Sequence, residues 1–106
     1  LDRARGLYVE ALTIRRRLGD LPGTASVMEK LASLVTASDP RGAAVLLGAA
    51  DRVRDLIRAP VPRAVREEYE ECREQVRSLL GETPFEDARA EGRRLTPAAA
   101  VATILP

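Results

Sequence analysis

Apolar residues recur every three or four positions from the start of the chain: Ala4, Leu7, Tyr8, Ala11, Ile14 and Leu18 fall on one stripe of a helix. The spacing predicts a first helix over about residues 2–18. The cluster Gly19-Asp20-Leu21-Pro22-Gly23 interrupts it, and Thr24 is expected to open a second helix that carries Val27, Met28, Leu31, Leu34 and Val35 on its buried side. Ser38-Asp39-Pro40 reads as a stop and a restart. The Asp39 side chain can accept free N–H groups of the next helix, and Pro40 stands in the first turn, where its missing N–H costs nothing. A third helix over about 40–58 follows, with Ala43, Leu46, Leu47, Ala50, Val53 and Ile57 as its stripe and Gly42 and Gly48 as points where a neighbour can come close.

Ala59-Pro60-Val61-Pro62 breaks the periodicity, since each proline disfavours helical geometry at the residue before it. A fourth helix is expected from about Arg63 to Leu80, with Val65, Tyr69, Cys72, Val76, Leu79 and Leu80 on one side and Gly81 as a left-handed cap. Thr83-Pro84-Phe85-Glu86 has the form of a capping box and predicts the start of a fifth helix, with Phe85 anchoring it against the fourth. Thr96-Pro97 repeats the cap logic before a last segment holding Val101, Ile104 and Leu105. No stretch alternates with period two, so the expected class is all-α, with five to six helices.

Composition narrows the chemistry. The 106 residues suit one soluble domain, 17 basic and 16 acidic side chains leave a net charge of +1, and there is one cysteine and no histidine. A disulfide framework, a Cys/His zinc site, a Ser-His-Asp triad and a histidine acid/base are excluded together. No cofactor or metal is expected, and the near-neutral balance argues against global attraction to nucleic acid. The chain opens at Leu1 without Met and its longest apolar runs are short, such as Ala98 to Ala102. A cytoplasmic piece of a longer protein, without signal peptide or membrane span, is the expectation.

Laid over residues 43–57 at an offset of 39, residues 4–18 match at Ala4/Ala43, Leu7/Leu46, Ala11/Ala50 and Arg15/Arg54, with conservative pairs at Tyr8/Leu47, Ile14/Val53 and Leu18/Ile57. Small residues flanking a large one are what closely crossing helices need, so the correspondence reads as a helix-pair repeat. Ala4, Tyr8 and Ala11 resemble the second helix of a tetratricopeptide repeat, and Ala43, Leu47 and Ala50 do so more loosely. Met28, Leu31, Ala32 and Val35 stand where a first helix of that family carries Trp, Leu, Gly and Tyr. Tyr8-Val9-Glu10-Ala11-Leu12, Arg16-Arg17-Leu18-Gly19-Asp20, Leu46-Leu47-Gly48-Ala49-Ala50, Pro60-Val61-Pro62 and Gly92-Arg93-Arg94-Leu95-Thr96 extend the likeness over nearly the whole chain. Together they are similar to the C-terminal helical-repeat region of large bacterial, especially actinobacterial, transcriptional regulators of the LuxR type that also contain an ATPase domain. The resemblance implies antiparallel helix pairs over residues 1–58 stacked as a short solenoid, with residues 59–106 as capping helices of the same domain. It also implies an interaction and regulatory role without catalytic residues, nucleotide and DNA being handled elsewhere in such proteins.

Within that frame the face of the second helix opposite its core stripe presents Ser26, Glu29, Lys30, Ser33 and Thr36, a polar surface able to take a peptide or helix of a protein partner or of another domain of the same chain. Leu1 falls mid-pair in the repeat, which leaves the first helix with an outer stripe that a second copy could cover through Leu7, Ile14 and Leu18, giving a homodimer. A third reading has the arginines contact DNA. Arg15-Arg16-Arg17, however, sits in a last helical turn, where cations complement the carbonyl end. Glu67, Glu68, Glu70, Glu71 and Glu74 offset the dipole of the fourth helix and are expected to form spaced pairs, Arg66 with Glu70 and Glu74 with Arg77, rather than to hold a metal. Cys72, on an apolar stripe, reads as a buried small hydrophobe, and Tyr8 as a core residue.

Overall fold

A computed structural model describes residues 2–104; Leu1, the expected mid-pair start, and Leu105, expected in the last apolar cluster, lie outside them. The described chain holds six α-helices and no strand. They are α1 (Asp2–Arg17), α2 (Leu21–Val35), α3 (Pro40–Ile57), α4 (Arg66–Leu80, entered through a 3-10 turn at Arg63–Val65), α5 (Glu82–Arg93) and α6 (Pro97–Ala102).

Short polar side chains start α2, α3 and α6, though not always where the sequence pointed. Asp20 rather than Thr24 caps α2: its carboxylate accepts the Gly23 amide at 2.8 Å, so the cap falls four residues earlier, with Pro22 in the first turn. Thr24 is fully buried and turns its hydroxyl back to the Asp20 carbonyl at 2.8 Å. The Gly23 amide and the Arg15 guanidinium, 2.8 Å from Asp20, hold that carboxyl below its ordinary pKa. Asp39 caps α3 through the Gly42 amide at 2.9 Å, and Thr96 caps α6 through the Ala99 amide at 3.1 Å, both as expected. The capping box at Thr83 does not form. Gly81, at φ 93° and ψ 158°, turns the chain within one residue: its amide bonds the Arg77 carbonyl at 2.8 Å and its carbonyl receives the Phe85 amide at 3.0 Å. That conformation is open to glycine but is not the left-handed cap expected. A left-handed cap is found instead at Arg58, φ 55°, which closes α3.

The core is organised around α3, which packs against α2, α4, α5 and α6. Between Gly42 and Ala50 every residue of α3 is buried, not only its stripe. Phe85, Met28, Leu31, Leu46 and Leu47 are fully enclosed, each worth about 1.5–3 kcal/mol of transfer free energy. Phe85 holds α5 in place, with the Arg73 guanidinium of α4 5.8 Å from its ring centre. Gly48 admits the backbone carbonyl of Arg89, and Gly92 of α5 admits that of Val45. At both points a methyl group would collide with main chain, so the α3/α5 crossing depends on glycine at these two positions.

Helix α1 sits differently. Leu12, absent from the apolar stripe, is its buried residue, with Tyr8 and Val9 packed beside it, whereas Leu7, Ile14 and Leu18 are 58%, 51% and 75% exposed. Positions matched by the offset of 39 therefore occupy unlike surroundings, Leu7 and Arg15 outside, Leu46 and Arg54 inside. Leu79 of α4 is likewise exposed. None of the described helices is long and apolar enough to cross a membrane.

Candidate functional site

A concavity of about 340 Å³ opens where five parts of the chain meet. Helix α2 contributes Ser26, Glu29, Lys30 and Ser33, which recur at helical spacing on one side of the helix. Leu47 of α3 forms the floor, Pro62 and Val65 of the connecting segment and Glu68, Tyr69 and Cys72 of α4 form the far wall, and Tyr8 of α1 closes one end. Four of the five residues read as a binding face thus line one hollow. Thr36 does not: it is buried, and its hydroxyl bonds the Ala32 carbonyl at 2.7 Å and lies 3.7 Å from the Cys72 sulfur. Thr36 follows the last turn of α2 and is covered by α4, which the sequence could not show without knowing where α4 docks. Tyr8, read as core, is half-buried and belongs to the hollow.

The side chain that shapes this site is Arg54, almost wholly buried on α3. Its Nε and Nη2 donate to the two carboxylate oxygens of Glu29 at 2.6 and 2.8 Å, Nη2 also reaches Ser26 Oγ at 3.1 Å, and Nη1 reaches the carbonyls of Ala59 and Pro60 at 3.3 and 3.4 Å. The fork of the guanidinium matches the carboxylate, and the hydrogen bonds to Glu29 raise the Arg54 pKa above its ordinary value. Glu29 is therefore locked and electrically compensated rather than free to receive a partner. One arginine also ties α2, α3 and the start of the Pro60–Pro62 segment together. A signal was present: Arg54 stands four residues after Ala50 and seven after Leu47, on the buried stripe itself, and a charge there requires an opposite charge facing it.

A second polar cluster fixes the far wall. Tyr69 donates its hydroxyl proton to Asp51 Oδ1 at 2.9 Å, Arg89 donates to Asp51 Oδ2 at 2.6 Å, and Arg73 donates to the Tyr69 oxygen at 3.2 Å. Burial, reinforced by the neighbouring Asp51 charge, pushes the Tyr69 pKa up to about 12. Burial also pushes the Cys72 thiol up, against the pull of Thr36 and Ser33, so it sits in the wall as a protonated apolar group. On α4, Glu74 pairs with Arg77 at 2.6 Å as expected, but Arg66 turns to the Val61 carbonyl at 2.8 Å instead of to Glu70. Among the described residues no three acidic or thiol groups come together as a metal site.

What remains open at the rim is Lys30 on one side and Glu68 on the other, with serine hydroxyls and aromatic and aliphatic faces between them. Comparison of the chain with protein-family models, with curated proteins and with solved structures finds no match in any of the three.

Proposed function

We propose that this chain is a non-catalytic interaction module whose hollow between α2 and α4 receives a short segment of a partner protein or of another domain of its own chain. The observation that carries this reading is the row Ser26, Glu29, Lys30 and Ser33 lining a hollow with Leu47, its first two members bonded by Arg54. Such a surface offers pockets for one or two apolar side chains, with Lys30 and Glu68 placed to orient the polar ends of the segment. The tetratricopeptide-like spacing supports placing the module in the C-terminal region of a bacterial transcription regulator of the LuxR type. There, capture of the segment would shift the balance between active and inactive arrangements of the parent.

Peptide display against the chain, with counter-selection on the Ser33→Trp variant, tests the reading. Ser33 is exposed, so tryptophan there fills the hollow without entering the core. The expected result is a set of peptides with micromolar affinity that lose more than tenfold on Ser33→Trp and on Tyr8→Ala. Peptides indifferent to both substitutions, or no enrichment at all, would overturn it.

A further inference from the structure

The hollow leaves the outer face of α1 unused. Ala4, Leu7, Ala11, Ile14 and Leu18 are spaced 3, 4, 3 and 4 residues apart, the alternation that lines a seam between two helices. The large members of this seam are all more than half exposed, while α1 reaches the core through Leu12, Tyr8 and Val9 instead. The Leu18 amide still bonds the Ile14 carbonyl at 3.1 Å, so the seam keeps helical form to its last member.

Charges beside the seam select its occupant. Glu10 and Arg17 flank it on one edge, both are exposed, and neither has an ion-pair partner among the described residues. We infer that the outer face of α1 pairs with α1 of a second copy in antiparallel orientation, Leu7 against Leu18 and Ala11 against Ile14, each contact occurring twice about the two-fold axis. This register sets Glu10 of each copy opposite Arg17 of the other, because flanking positions one residue before Ala11 and three after Ile14 face each other when those two residues are level. A parallel pair would lay the two Arg15-Arg16-Arg17 runs side by side and would need Arg15, which is already bonded to Asp20 at 2.8 Å. The antiparallel pair separates the two basic runs and opposes the helix dipoles. Alanine opposite isoleucine lets the axes approach closely, as a short seam requires. This interface is independent of the groove, since none of its residues lines it.

The seam is short, so dissociation in the micromolar range is expected, read by sedimentation equilibrium over a wide span of concentrations. Leu18→Asp and Ile14→Lys, both at exposed positions, are expected to give monomers with unchanged circular dichroism. Glu10→Arg and Arg17→Glu should each weaken the dimer by roughly tenfold, and the double exchange should restore it to within a few-fold. For orientation, a mixture of Leu7→Cys and Leu18→Cys chains is expected to form the disulfide-linked pair on mild oxidation, whereas Leu7→Cys alone is not; Cys72 is buried and stays out of the reaction. A chain that is monomeric at every concentration, a dimer indifferent to Leu18→Asp, or a charge exchange that fails to restore association would overturn the proposal. Self-linking of Leu7→Cys as fast as the mixture would overturn the antiparallel register.

Discussion

A guanidinium withdrawn from water must find acceptors for its N–H groups, and Arg54 finds five: both carboxylate oxygens of Glu29, the Ser26 hydroxyl and the carbonyls of Ala59 and Pro60. With 6% of the Arg54 side chain and 9% of Glu29 exposed, the pair lies in the regime where removing one partner strands the other's charge. Arg54→Met is therefore expected to destabilise the chain by about 3 kcal/mol, and Arg54→Met combined with Glu29→Leu by clearly less, since the double replacement leaves no unpaired charge. Urea unfolding of the two single variants and the double variant checks this; equal losses for single and double would show that the pair acts only through packing. The same contact explains why Glu29, readable in the sequence as part of a polar face, is not a free ligand. Periodicity reported which side of α2 it occupies, but not that an arginine 25 residues away arrives beneath it.

At the scale of helices, the elements were legible because their signals are local. Asp39 and Thr96 each cap within three residues, and Pro60 and Pro62 act on their immediate neighbours. Boundaries moved where two local signals competed. Asp20 outranks Thr24 because its carboxylate reaches the Gly23 amide, and Gly81 makes the Thr83 cap redundant by joining α4 to α5 in one step. Which glycines matter is a question of crossing. Gly48→Ala or Gly92→Ala sets a methyl against the opposing main chain and is expected to cost about 1–3 kcal/mol despite better helix propensity. Gly6→Ala, on exposed α1 with nothing within 4 Å, should instead gain about 0.5–1 kcal/mol. Thermal melts of the three variants separate the two effects; a stabilised Gly48→Ala would show that the α3/α5 crossing yields easily.

For the molecule as a whole, the absence of histidine removes the side chain that most often makes stability change near neutral pH. The alkaline side has a named cause. Tyr69 keeps its proton to about pH 12 in the folded chain, whereas it releases it near pH 10 when unfolded. The folded state then binds more protons than the unfolded state between those values, so stability falls as pH rises through that window. In a Tyr8→Phe background, leaving Tyr69 as the only tyrosine, absorbance at 295 nm is expected to titrate near 12 and the melting temperature to decline above pH 10. A midpoint near 10 with no loss of structure would contradict the buried Tyr69–Asp51 contact. By itself the sequence determined the all-helical class, nearly every helix and its approximate limits, and the polar row on α2, because periodicity and caps act within about four residues along one backbone. Tertiary structure alone decided that α3 lies at the centre, that Arg54 pairs with Glu29, that Thr36 is covered, and that α1 reaches the core through Leu12 rather than through its stripe. An apolar stripe says that a helix has a side to bury, but only the helix that arrives opposite it decides which residues lose contact with water.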